Sequence, residues 1–282
     1  MPRLICPVCS SALSKTDNKK SFQCEHNHLF DLSKQGYTNL LLSHLKKSKH
    51  PGDTAEMVLA RKEFLNRGHY EKVSNELNCL AEEYCNHLNH INYTDLGCGE
   101  GYYTERVKRS FSKLSNTTTT CGIDISTPAI KSACKRDNTV QWIVSSAAHI
   151  PIASASQDLA SCLFFRFDAH EVARILKPDA ILVSANTGIK HLIELRQHLY
   201  NDVKTDKPEV KLSNESRLEH IKTVNMKQQI TLNSHIEIEQ LLAMTPHYWR
   251  VTQEKKQALS ALEHLEVSLD IQFDIYRRTS AP

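Results

Sequence analysis

The sequence contains no apolar run approaching the roughly 18 residues that a membrane-spanning helix needs, and its N-terminus lacks the apolar core of a signal peptide. Both absences point to a cytoplasmic protein with no membrane partner. No internal repeat and no low-complexity segment appears, which argues against a solenoid or a disordered tract. Strong charge is also missing. The 35 Lys and Arg against 32 Asp and Glu leave +3, too little to announce nucleic acid without local clustering. Glycine is scarce, 8 in 282 residues, so three at alternate positions of one stretch stand out. What is present is an ordinary globular composition, 40% hydrophobic and 24% charged. The length suits one large domain, or a full α/β domain with a small appendage.

The stretch is Tyr93-Thr94-Asp95-Leu96-Gly97-Cys98-Gly99-Glu100-Gly101-Tyr102-Tyr103-Thr104, which reads as a short strand, a tight turn and the opening of a helix. Glycine at 97, 99 and 101 lets the backbone turn sharply and approach a ligand where a Cβ would collide. Asp95 and Glu100 make the loop acidic, whereas a pyrophosphate loop aims amide N–H groups at negative charge. Tyr102 also stands where the dinucleotide fingerprint wants a third glycine or alanine. An acidic D-x-G-x-G-x-G loop suits a ligand with a cationic end, such as the amino acid and sulfonium of S-adenosyl-L-methionine. The plain alternative is a glycine turn that binds nothing.

Nine cysteines is an odd count. Cys79, Cys85, Cys98, Cys121, Cys134 and Cys162 are scattered through apparent core elements and read as reduced, buried thiols. The other three fall near the N-terminus. Cys6-Pro7-Val8-Cys9 forms one knuckle, and Cys24 with His28 forms a second, which completes a tetrahedral Cys₃His site for structural Zn²⁺. His26 is a poorer partner, because one intervening residue leaves little room for the chelate. A ribbon over residues 1–43 has too little core to fold alone, so a structural metal is physically sensible. The dense run His44-Leu45-Lys46-Lys47-Ser48-Lys49-His50 beside it offers a phosphate-backbone surface, or a merely solvated linker.

A helix is expected from Asp53, as cap with Glu56 three residues on, to Gly68, and a second from Tyr70 to Leu88. Residues 44–90 thus read as a basic linker and helical connector, and residues 91–282 as the main domain. There strands at 93–96, 118–123, 140–144, 159–165 and 181–185 alternate with helices at 102–113, 128–136 and 170–176, the pattern of a doubly wound parallel sheet. Asp124 closes the second of these strands, placed to accept hydrogen bonds from ribose hydroxyls of a nicotinamide or S-adenosylmethionine cofactor, or simply to cap the next helix. Ser145-Ser146-Ala147 falls where an adenine is approached in such folds. A helix at 190–199, a polar surface loop at 201–216, strands at 224–232 and 264–277 and a helix at 234–244 follow. Late antiparallel strands on a parallel core fit a Rossmann-like seven-stranded methyltransferase sheet better than a dehydrogenase.

Several stretches together resemble the bacterial 23S rRNA (guanine-N1)-methyltransferases, which carry an N-terminal zinc ribbon before a Rossmann-like domain. They are the Cys6/Cys9/Cys24/His28 ribbon, Phe30-Asp31 through Gly36-Tyr37 to Asn39-Leu40-Leu41, Pro51-Gly52-Asp53, Ala60-Arg61, Gly68-His69-Tyr70, the glycine loop, Lys190-His191-Leu192 and Met244-Thr245-Pro246. The resemblance implies zinc on the four ribbon residues and S-adenosylmethionine contacts at Tyr70, Gly99, Glu100 and His191, beside Asp95, Gly97 and Asp124. It further implies methylation of guanine N1 in a 23S rRNA hairpin or ribosomal precursor, and a homodimer whose two ribbons embrace that hairpin. Two departures stand out: Leu163-Phe164-Phe165-Arg166-Phe167-Asp168 lacks the family's proline, and Lys177-Pro178-Asp179-Ala180 replaces a Lys-Pro-Gly-Gly turn. No asparagine- or aspartate-Pro-Pro-aromatic motif follows the fourth strand, which tilts away from exocyclic-amine chemistry. No base is assigned, although Asp168 and His170 stand near the acceptor side. The rival readings are a small-molecule methyltransferase and a catalytically silent RNA-binding or assembly factor.

Overall fold

The computed structural model describes residues 2–46, 48–49, 51–114, 117–203 and 216–280. The ribbon holds three short antiparallel strands, β1 (Ser14–Lys15), β2 (Ser21–Gln23) and β3 (Leu29–Asp31). The chain then leaves it through β4 (Thr38–Asn39). Two helices follow, α1 (Ala55–Asn66) and α2 (Glu71–Cys85). The alternating part runs β5 (His90–Leu96), α3 (Tyr102–Lys113), β6 (Thr117–Asp124), α4 (Thr127–Arg136), β7 (Gln141–Val144), β8 (Gln157–Leu163), α5 (Ala169–Ile175) and β9 (Leu176–Thr187). It closes with α6 (Ile193–Leu199), β10 (Leu218–Leu232), α7 (His235–Ala243), α8 (Gln253–Ser260) and β11 (Leu265–Arg278).

The main sheet has the order β10-β11-β9-β8-β5-β6-β7-β4. From β9 to β4 every pair is parallel, whereas β11 runs antiparallel to both β9 and β10. This is the expected Rossmann-like sheet with its late antiparallel pair. To its seven strands the ribbon's exit adds an eighth, with Thr38 opposite Ile143 and Asn39 opposite Val144. Helices cover both faces, so β7 and β8 are buried along their whole length, as parallel strands demand. Helix α2 presents Val73, Leu77, Leu80 and Ala81, one helical stripe, to a core shared with Ile91, Tyr93 and Phe273. The ribbon has no separate core. Its Leu4, Leu13 and Phe22 pack in one cluster with Ile150 and Ile152, and Ile5 N–H donates to Pro151 O at 3.1 Å.

Four local expectations need correction. Thr54, not Asp53, caps α1 by accepting Met57 N–H on Oγ1 at 3.4 Å, because the Asp53 carboxylate is taken up by Arg61. Strand β8 stops at Leu163, since Phe164 takes φ +57° and turns out of the ladder. His191 lies in the turn before α6 rather than within it. Cys79 is exposed on α2, while the other five thiols of that group are buried and free as expected. Of the surface loop read at 201–216, residues 204–215 lie outside the described residues, as do Lys47 and His50 of the basic run. Among the described residues no helix is long and apolar enough to cross a membrane.

Candidate active site

The ribbon brings Cys6, Cys9, Cys24 and His28 together, with one donor atom from each within 4.8 Å of the others. Cys9 Sγ lies 3.7 Å from Cys24 Sγ, and His28 Nδ1 lies 3.5 and 3.4 Å from the sulfurs of Cys6 and Cys24. A tetrahedron with Zn–S arms near 2.3 Å has edges of about 3.7 Å, so the cage has the size zinc requires. Val8 N–H donates to Cys6 Sγ at 3.4 Å, a bond that supports a thiolate there. His26 instead turns its Nδ1 to Ser11 Oγ at 3.2 Å. Four protein donors make a closed, structural site.

A cavity of about 690 Å³ opens at the carboxyl ends of the parallel strands, where the strand order reverses between β5 and β8. That switch point is where open α/β sheets bind ligands. Tyr70, Asp95, Gly97, Gly99, Glu100, Asp124 and His191 all line it, and so do Ser145, Ser146 and Ala147. The glycine loop forms its floor. Gly97 and Cys98 N–H groups both donate to Ile123 O, at 2.8 and 3.0 Å, which straps the loop to the end of β6. All three glycines take positive φ. A Cβ on Gly97 would press on the Phe165 ring at 3.2 Å, and one on Gly101 would meet Trp142 at 2.7 Å.

The two acids of the loop and Asp124 at the end of β6 have different partners. Asp95 accepts Thr104 Oγ1 at 2.5 Å and Ser161 Oγ at 2.6 Å. Burial pushes its carboxyl up to about 6, against the pull of those two bonds. Asp124 accepts one backbone N–H on each oxygen, Gly99 at 2.9 Å and Ser126 at 2.8 Å, so it fixes the loop and keeps one lone pair per oxygen. Burial raises this carboxyl as well. Glu100 Oε2 accepts Arg136 Nε at 2.9 Å and a second bond from Nη2, whereas its buried Oε1 has no partner. A buried anionic acceptor without a donor is costly, and a cationic ligand group would satisfy it.

Aromatic rings form the facing wall. Asp270 N–H donates to His191 Nδ1 at 3.4 Å, so Nε2 carries the ring proton toward Tyr70 Oη, also 3.4 Å away. Burial holds His191 down to about 4, which keeps it neutral. Phe164 lies nearly parallel to His191, 6.5 Å between centroids at 18°, and meets the Tyr70 ring edge-on at 6.3 Å. Phe164 and Phe165 remain 41% and 43% exposed where they line the cavity.

Comparison with known proteins places this geometry. A family model described as "RlmA, N-terminal", a zinc ribbon, matches residues 4–49, and one described as "Methyltransferase domain" matches residues 94–184. A Micromonospora griseorubida protein named "Putative 23S rRNA (guanine-N(1)-)-methyltransferase" is 30% identical over 210 residues, covering 71% of this chain and 70% of that one. The chain belongs to the 23S rRNA (guanine-N1)-methyltransferase family. A Bacillus subtilis relative named "Putative 23S rRNA (guanine-N(1)-)-methyltransferase YxjB" is 28% identical over 274 residues, 94% of each chain. The Streptomyces fradiae 23S rRNA (guanine(748)-N(1))-methyltransferase is 28% identical over 279 residues, 97% of this chain and 96% of its own.

Within this methyltransferase the structure also brings to the site residues that the sequence had not assigned to it. Arg61, Arg196 and His247 line the same cavity. Arg61 and His247 sit in or directly after the stretches Ala60-Arg61 and Met244-Thr245-Pro246, which was the available signal. Asp168 and His170 do not line it. Asp168 caps α5 by accepting the N–H groups of His170 and Glu171, each at 3.0 Å.

Proposed function

We propose that this methyltransferase transfers a methyl group from S-adenosyl-L-methionine to N1 of a guanine in a hairpin loop of 23S rRNA, free or within a ribosomal precursor, in the cytoplasm. The strongest support is one juxtaposition: an acidic, glycine-floored cavity rimmed by two exposed phenylalanines, on a domain that carries a docked Cys₃His ribbon. The printed names of the relatives support the substrate.

The residues present fit the cofactor. Glu100 Oε1 is an unsatisfied acceptor for its ammonium group, the free lone pairs of Asp124 suit ribose hydroxyls, Ser145–Ala147 border the adenine side, and Tyr70 and His191 offer flat faces. When bound, the cofactor supplies a methyl group already activated by a positive sulfur. The protein's task is then to position the acceptor, since alignment at an approach distance near 3 Å can supply several kcal/mol of the barrier lowering. Phe164 and Phe165 supply surfaces on which an unstacked base can lie. Ribbon residues 1–43 and the described Lys46 and Lys49 of connector 44–90 would meet RNA phosphates, while residues 91–282 carry the transfer. In this reading two copies pair so that their ribbons flank the hairpin, as the family resemblance suggests.

Mass mapping of rRNA from cells with and without the gene tests the substrate. Loss of one N1-methylguanosine is expected, and an unchanged profile would overturn the enzyme reading in favour of a silent RNA-binding factor. Calorimetry tests the cofactor site: Glu100→Ala should bind S-adenosylmethionine at least about tenfold more weakly, the loss of one charge-assisted contact. Equal affinity would remove that assignment. Sedimentation of the free protein decides between dimer and monomer.

A further inference from the structure

Guanine N1 carries a proton that must leave before the nitrogen can hold a methyl group, and the acidic acceptors lining the cavity are engaged or already assigned. Asp95 is enclosed by Thr104 and Ser161, Asp53 is paired with Arg61, and the open acceptor sites of Glu100 Oε1 and Asp124 are those given above to the cofactor. His191 accepts a backbone N–H on Nδ1 and so turns a proton, not a lone pair, toward Tyr70. That leaves His247, on the short 3₁₀ helix Pro246–Trp249. Tyr200 Oη lies 2.9 Å from its Nδ1, with the two rings 5.5 Å apart at 68°. Tyr200 does not line the cavity. The held nitrogen therefore faces into the protein, and Nε2, on the opposite side of the ring, has no protein partner among the described residues. Arg196, one helical turn before Tyr200, also lines the cavity, with Nη1 donating to Ile189 O at 2.9 Å.

We propose that His247 Nε2 accepts the N1 proton of the bound guanine, with Tyr200 holding the imidazole through Nδ1–H and Arg196 stabilising the negative charge that develops on the base. The inference rests on the guanine-N1 reading above. In the step, the N1–H bond breaks and its proton passes to Nε2. The electron pair left on N1 forms the new bond to the methyl carbon. The carbon–sulfur bond breaks with its pair remaining on sulfur, which becomes a neutral thioether, and the imidazolium then returns its proton to solvent.

The surroundings suit a base that is free at neutral pH. Arg196 on α6 and Arg250 after the 3₁₀ helix are the cations facing His247, Tyr200 is its neutral partner, and His191 across the cavity is itself neutral. Lys255 on α8 is engaged by Leu199 O and Asn201. Burial, then the two guanidinium groups, lowers the His247 pKa. The rate should therefore be flat near neutrality and fall only as pH drops through that lowered value.

Single-turnover methylation of a 23S rRNA hairpin, read as N1-methylguanosine by mass spectrometry, tests this with wild type, His247→Ala and Tyr200→Phe, alongside calorimetric S-adenosylmethionine binding. His247→Ala should lose about 10²–10⁴-fold in rate, the usual contribution of a positioned base, while cofactor affinity is retained. Its residual rate should climb about tenfold per pH unit above neutrality, as the guanine anion forms unaided, where wild type stays flat. Tyr200→Phe removes the acceptor for Nδ1–H, so the acid limb should move to lower pH. A His247→Ala rate close to wild type, or a pH profile of unchanged shape, overturns the proposal. Should His247→Ala fail to fold, an unmoved acid limb in Tyr200→Phe overturns it. A wild-type protein that binds the cofactor but forms no N1-methylguanosine overturns the substrate reading, and this inference with it.

Discussion

Replacing Arg136 by methionine removes the partner of a carboxylate that has almost no contact with water. Glu100 is 2% exposed, and Arg136 meets it with two N–H groups on Oε2 while also donating to Glu100 O at 3.2 Å and Asn66 Oδ1 at 3.1 Å. Breaking a buried pair from one side costs about 3–5 kcal/mol, because the charge left behind is uncompensated. A domain of this kind holds only about 5–15 kcal/mol in total. The loss also has a defined pH dependence. Burial already raises Glu100 above the ordinary carboxylate range, with Arg136 pulling it back, so removing Arg136 raises it further. A carboxyl whose pKa is higher folded than unfolded contributes stability that is full below the unfolded pKa and is lost as pH rises through the folded one. The Arg136→Met deficit should therefore be largest near pH 8 and shrink toward pH 5. Arg136→Lys keeps the charge but not the planar fork, and should cost about 1–2 kcal/mol. Urea unfolding followed by circular dichroism at both pH values measures this. A deficit below about 1 kcal/mol near pH 8, or one equal at both pH values, would refute the assignment of a buried, compensated charge.

Two further changes test the glycine floor and the ribbon. Gly101→Ala places a Cβ 2.7 Å from the buried Trp142 ring at φ +84°. The left-handed backbone costs about 1–2 kcal/mol and the overpacking about 1–3 kcal/mol, so a drop of roughly 2–5 kcal/mol in urea unfolding is expected. Elemental analysis should find one zinc per chain, and Cys9→Ser or chelation should lower the melting temperature of the whole protein, because Leu4, Leu13 and Phe22 share a core with Ile150 and Ile152. An unchanged melt would show that the ribbon's order does not depend on the metal.

What could be read from the sequence was what short-range chemistry determines. The Cys₃His cage follows from spacing within two knuckles, and the strand–turn–helix at Gly97–Gly101 follows from three glycines and two acids. Asp124 followed from its place at the end of a strand. Features missed depend on partners distant in the chain. Asp53 would have capped α1 had Arg61 not claimed it, leaving Thr54 to do so. Phe164 and Phe165 are expected beside the acceptor and do line the cavity, but hydrophobicity places them within the strand, which ends at Leu163 because the backbone turns at Phe164. His247 and Arg196 reach the site only because α6, packed on β11, and the short helix after α7 border the same cavity, and no local periodicity carries that information. A strand of two residues, such as Thr38–Asn39, is too short for alternation to reveal.

That short strand governs the timing of assembly. Thr38 and Asn39 leave the ribosome early, but their partners Ile143 and Val144, and Ile152 opposite Leu4, emerge only after the glycine loop and three further elements have been made. At ordinary synthesis rates the wait is on the order of ten seconds. During it the apolar side chains of Leu4, Leu13 and Phe22 lack Ile150 and Ile152, with which they share a cluster in the finished fold. A metal captured by the first 28 residues would hold that segment in shape until its seat exists, which makes zinc a cofactor of folding order as much as of final stability. The edge strand of the parallel part of the sheet is thus the first of that sheet to be synthesised, and it waits for its neighbour.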